Sequence, residues 1–123
     1  MLPKDSPQMQ LKPCPDKPNC VGTEETNDKK RDALAFTGSA ADAQARLREI
    51  VSGMKRTTLV KEEDGYLHYT FKTWPIPFTD DVEFVIDDAA KVIRFRSASR
   101  VGHSDLGVNS KRMQKITDAW NDR

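Results

Sequence analysis

Residues 96 to 109, RSASRVGHSDLGVN, hold two arginines, three serines, a histidine, an aspartate, an asparagine and two glycines between a strand-like and a helix-like segment. Side chains of these types serve three chemistries: nucleophilic hydrolysis, anion binding, or a turn that satisfies its own backbone. Hydrolysis is the weakest, because His103, Ser104 and Asp105 are consecutive and three neighbours cannot all point at one another as a triad. Gly102 and Gly107 have the spacing of a P-loop, but Val108 and Asn109 stand where that motif needs Lys and Ser or Thr. Anion binding fits better. Arg96 and Arg112 could converge on the free N–H groups of a helix N-terminus, where the dipole favours negative charge and guanidinium forks suit carboxylate or phosphate. The candidate ligand set is therefore Arg96, Ser99, Arg100, Ser104, Asp105, Asn109 and Arg112. The competing account is an internal clamp. Asp80, Asp81 and Asp105 would fill the arginine forks, Asn109 would cap the helix, and Gly102 and Gly107 would supply positive φ. The clamp is preferred for the stretch itself, since loops rich in Ser, Asp, Asn and Gly usually satisfy their own backbone.

Three further groups could do chemistry. An acidic patch, Asp80, Asp81 and Glu83, could face Arg96, Arg100 and His103 across a cleft and perform acid–base work. Cys14 and Cys20 are too far apart for a C-x-x-C motif and do not match zinc-ribbon spacings. A disulfide is the simpler account, ahead of free thiols, with a metal site third. It would close a seven-residue loop worth about 2.4 kcal/mol by chain entropy, less in a loop already stiffened by prolines, and it implies an oxidising compartment. Finally, TWPIPF (73 to 78) carries Trp74, Ile76 and Phe78 beside two prolines. It is either an apolar tip for a partner or a segment folded back on the core. No basic cluster surrounds it in sequence, which argues against membrane docking.

The elements that must position these groups follow from periodicity. Residues 1 to 20 contain five prolines and read as an extended arm, and 21 to 37 read as polar loop. Ser39 is a good N-cap for a helix whose Ala43, Leu47, Ile50, Val51 and Met54 share one face, with Gly53 weakening its last turn. RTTLVKEE, YLHYTFKTW, DVEFVID and VIRFRSAS read as strands, the last three with clear apolar alternation, joined by short links that favour an antiparallel meander. Any register keeping the apolar faces together places Glu83 opposite Arg94 or Arg96. A second helix places Met113, Ile116 and Trp120 at i, i+3 and i+7. The expectation is an α+β domain over 38–123, with a four-stranded antiparallel sheet carrying two helices on one face in two layers. Residues 1–37 form an extended Pro-rich arm and loop.

The totals bound the rest. At 123 residues with a net charge of +1, the chain is one domain without the basic footprint of a nucleic-acid binder. No apolar run is long enough to span a membrane, and no cofactor motif is present. MLPKDSPQMQ has no apolar run of signal-peptide type. The location expected is extracytoplasmic, periplasmic or secreted, if a leader was removed, and cytoplasmic otherwise.

KPCPDKPNCV (12 to 21), FTDDVEF (78 to 84) and RSASRVGHSDLGVNSKR (96 to 112) resemble, in order, the signature blocks of the domain of unknown function family 1499. The resemblance runs from Lys12 to the C-terminal helix. It marks Cys14, Pro15, Pro18, Asn19 and Cys20, then Asp80, Asp81, Glu83 and Phe84, then Arg96, Ser97, Ser99, Arg100, Gly102, Ser104, Asp105, Gly107, Asn109 and Arg112. It implies a small bacterial protein, in many members preceded by a signal or lipoprotein leader, with related domains in plastids, and it implies no activity. The function expected is a non-enzymatic binding module that holds an anionic ligand or a partner's acidic group through the 96–112 block. The alternatives are a scaffold domain using the Trp74–Phe78 tip and an acid–base enzyme using Asp80, Asp81, Glu83 and His103.

Overall fold

The computed structural model describes residues 10–101 and 107–122. In chain order the elements are β1 (Cys20–Gly22), β2 (Leu34–Ala35), α1 (Ala40–Ser52), β3 (Thr57–Glu63), β4 (Tyr66–Lys72), β5 (Thr79–Asp87), β6 (Val92–Ser99) and α2 (Val108–Asn121). The α+β class is as expected, and β3–β6 form the antiparallel meander that the short links favour. The sheet has six strands rather than four, because the free edge of β6 is covered by the N-terminal segment. Cys20–Gly22 pairs with Arg96–Ala98, and Leu34–Ala35 pairs with Val92–Ile93, both antiparallel. Two strands of three and two residues are too short to show a period, so the segment reads as loop until β6 offers it a ladder.

Alternation decides which side chains are buried. Leu67, Tyr69 and Phe71 of β4, Val82, Phe84 and Ile86 of β5, and Ile93 and Phe95 of β6 point inward, where they meet Leu47 and Val51 of α1 and Met113, Ile116 and Trp120 of α2 in one cluster. Each such side chain contributes roughly 1.5–3 kcal/mol by leaving water. Tyr69 meets Phe84 edge-on at 6.3 Å, and its hydroxyl finds Ser52 Oγ at 2.9 Å. α1 begins as predicted, with Ser39 Oγ accepting from Asp42 N at 3.0 Å. Gln44 then ties the helix to the β3–β4 hairpin. Its amide donates to Glu63 O at 2.8 Å, and its carbonyl accepts from Gly65 N at 2.7 Å. Gly65 sits at φ 82°, the left-handed turn position that glycine fills without strain. β3 is the remaining edge, kinked by a bulge between Leu59 and Lys61.

α2 corrects one expectation. Its N-cap is Gly107 at φ 80°, not Asn109. Asn109 lies inside the first turn, and its amide is turned into the sheet instead.

Candidate functional site

Asp80 and Asp81 are adjacent in a strand, so they face opposite sides of the sheet. On the inner side Asp80 is fully buried and receives Arg112 Nη2 at 2.7 Å. Arg112 Nη1 donates to Asn109 Oδ1 at 2.7 Å and to Ser97 Oγ at 3.3 Å, and Ser97 Oγ donates to Asn109 Oδ1 at 2.6 Å. Asn109 Nδ2 donates in turn to Asn19 O at 3.0 Å and to Ser99 Oγ at 3.1 Å. The Arg112 guanidinium also lies 4.6 Å from the centre of the Phe71 ring. The network joins the N-terminal segment, β5, β6 and α2. Its arginine fork is filled by the protein's own groups.

The outer side carries a different chemistry. Asp81 receives Arg100 Nε at 2.8 Å and Nη2 at 3.0 Å, and His68 Nε2 lies 2.8 Å from its Oδ1. The Arg100 guanidinium, more than His68, holds the Asp81 carboxyl below its ordinary range. Glu83 is in register with Arg96, yet its carboxylate takes the Tyr66 hydroxyl at 2.5 Å. Burial, and then Glu83, push the Tyr66 phenol up. Arg94 lies between Glu24 and Asp87 at 3.4 and 3.5 Å.

The described residues among those singled out from sequence therefore do not gather at one point. Arg96 and Arg100 lie on the outer face, while Asn109 and Arg112 lie on the inner one, so Arg96 does not converge with Arg112. The acidic patch is split in the same way, Asp80 inward and Asp81 and Glu83 outward. Period two imposes both separations. Gly102, His103, Ser104 and Asp105 lie outside the described residues. Cys14 and Cys20 form the disulfide, with Cα atoms 5.7 Å apart. Trp74, Ile76 and Phe78 are 75, 61 and 47 % exposed, so the tip projects rather than folding back on the core.

A groove of about 680 Å³ opens beside the clamp, between the end of α1, the end of β4 and the start of α2. Ile50, Met54, Phe71 and Val108 give it an apolar floor, Trp74 and Thr73 stand at its rim, and Arg112 reaches it from the clamp. Around it stand Lys55, Arg56, Lys72, Lys111 and Lys115, all exposed, and no described lining residue is acidic. Lys72 Nζ is held by Thr79 Oγ1 at 2.7 Å, and Arg56 Nε donates to Lys72 O at 3.2 Å. None of the five has a carboxylate partner among the described residues. These cations come from stretches far apart in sequence, and no local motif announces them. The one signal available was Lys111 and Lys115 at i, i+4 on α2, which share a helix face. The basic cluster absent from the sequence around Trp74 is supplied by chain closure.

A second cavity, about 370 Å³, lies by the disulfide loop and the start of α2, and its lining mixes Asp16 and Asp28 with Lys17, Lys29 and Arg31. Its two carboxylates offset two of its three cations, so the charge left over is small. Among the described residues, no cluster of His, Cys, Asp or Glu could hold a metal ion. Among the described residues, no helix is long and apolar enough to cross a membrane.

A family model described as Protein of unknown function (DUF1499) matches residues 10–120. No curated protein and no solved structure matches the chain.

Proposed function

The chain belongs to the DUF1499 family, whose description assigns no chemistry, and from the molecule's own surface we propose that it is a binding module for an anionic ligand. The ligand sits in the groove between α1, β4 and α2. The carrying observation is the ring of Lys55, Arg56, Lys72, Lys111 and Lys115 around a cavity with no acidic lining among the described residues. Like charges left together without counter-ions raise the free energy of the empty protein, and a bound anion relieves that cost. Ammonium groups on flexible stems suit phosphate as point charges, and the floor of Ile50, Met54, Phe71 and Val108 accepts an apolar flank. The clamp beneath fixes α2 against β5 and so fixes the spacing of the cations. Arg112 acts here as a positioning residue. Binding is favoured over acid–base catalysis because the carboxylates such chemistry would use are divided between the two faces of the sheet.

Titration with inorganic pyrophosphate, followed by thermal melting, tests the reading. Saturating ligand at about a hundredfold its Kd should raise Tm by roughly ten degrees. Lys111→Glu and Lys55→Glu should remove the shift, and Arg96→Ala on the far face should leave it. A melting temperature indifferent to pyrophosphate in the unmodified protein at low salt sinks the proposal.

A further inference from the structure

We infer that the anion received by the groove is the phosphate headgroup of an anionic lipid, presented at a bilayer surface into which Trp74, Ile76 and Phe78 insert. The inference rests on the groove being an anion site and specifies where that anion comes from. Its independent support is the loop joining β4 to β5. Three large apolar side chains stand exposed within five residues there, at 75, 61 and 47 % of their full accessibility.

The loop is built to hold them out. Thr73 N donates to Phe78 O at 3.0 Å, Phe78 N donates to Ile76 O at 3.0 Å and to Thr73 Oγ1 at 2.9 Å, and Thr73 Oγ1 donates to Ile76 O. The backbone groups at the neck are thus paired within the loop, and Pro75 and Pro77 bring no N–H to satisfy. That pairing lowers the cost of bringing the neck to the edge of the hydrocarbon, where unpaired peptide groups are costly. Tryptophan is the side chain most at home at that boundary, apolar in its rings and polar at its N–H.

Position links the two features. Thr73 and Trp74 line the groove together with Lys55, Arg56, Lys111 and Lys115, so the apolar finger and the cation ring open at the same end of the molecule. An anionic bilayer offers both complements at once, phosphates for the lysines and an acyl boundary for the finger. The chain's net charge of +1 means this attraction comes from a local concentration of charge and not from the whole surface. An acidic protein would match the lysines, but it would leave the projecting finger without a depth to enter.

The test is co-sedimentation with vesicles of phosphatidylcholine alone and of phosphatidylcholine mixed with phosphatidylglycerol, read alongside tryptophan emission. Trp120 is buried, so a blue shift on adding vesicles reports Trp74. Binding to the mixed vesicles with a blue shift, little binding to the neutral ones, and loss at high salt are expected. Lys111→Glu should weaken vesicle binding at least about fivefold. The exposed double substitution Ile76→Ser with Phe78→Ser should weaken it roughly tenfold or more while leaving the pyrophosphate shift in place, because neither residue lines the groove. If pyrophosphate binds and vesicles do not, the lipid inference fails and the anion-site reading survives. If the Ser variants bind vesicles as the parent does, or if polyglutamate binds more tightly than the mixed vesicles, the inference is overturned. If neither pyrophosphate nor vesicles bind, both readings fall.

Discussion

Two neighbouring aspartates show how far one residue of register separates physical roles. Asp80 and Arg112 are both buried, so their pair does not owe its value to simple attraction. Desolvation of two charges offsets much of the Coulomb gain, but removing one partner leaves the other charged and unmatched at a cost of about 3–5 kcal/mol. Asp80→Ala should therefore lower stability by that amount in urea unfolding, and a double variant Asp80→Ala with Arg112→Leu should recover much of the loss. If the single and double variants are equally destabilised, the arginine was never stranded. Asp81 sits with its partner Arg100 nearer solvent, and its effect is read through pH. Its folded carboxyl titrates below the unfolded value, so the pair's stabilisation is present above the unfolded pKa and is lost as pH falls through the folded one. The stability difference between the parent protein and Asp81→Asn should thus be full near neutrality and should close below about pH 4. A gap that stays constant to low pH would mean Asp81 contributes through shape and not charge.

At the scale of elements, the readable parts were those long enough to display a period. β4, β5 and β6 alternate over seven to nine residues, and α1 announces itself through Ser39 and a repeating apolar face. Register followed from the same alternation, which left Glu83 opposite either Arg94 or Arg96, and Arg96 is the partner. The N-terminal strands were illegible for the opposite reason. Their pairing is dictated by the open edge of β6 and not by their own residues. Asn109 misled because a side chain suited to capping is equally suited to bridging Asn19 O and Ser99 Oγ, and only the sheet decides between them. The disulfide lies where β1 begins, so its reduction should act on that edge first. Dithiothreitol should lower global stability by at most about 2.4 kcal/mol. It should also speed amide exchange at Val21 and Gly22 before it touches Phe84 or Phe95 in the central strands. Uniform acceleration through the sheet would show instead that the disulfide holds the whole fold and not its edge.

Across the whole molecule, 20 basic and 19 acidic residues nearly cancel, and it is their separation in space that carries meaning. The sequence could not display this, because the lysines of the groove meet only when α1, β4 and α2 close on one another. Such an arrangement has a stability cost that can be measured without any ligand. Lys111 stands near the N-terminus of α2, at the positive end of the helix dipole, with no acidic residue in the first turn, and it repels Lys115 one turn on. Lys111→Glu should therefore stabilise the empty protein by about 1 kcal/mol at low ionic strength, a rise of roughly four degrees in Tm. The gain should shrink as salt screens the cluster. The same substitution should abolish the pyrophosphate shift, so that one change raises stability and removes binding. That opposition is the signature of charges held against their own repulsion for a partner's sake. A Lys111→Glu protein that melts lower than its parent at every salt concentration would show that Lys111 serves the fold, and the groove would lose its standing as a site.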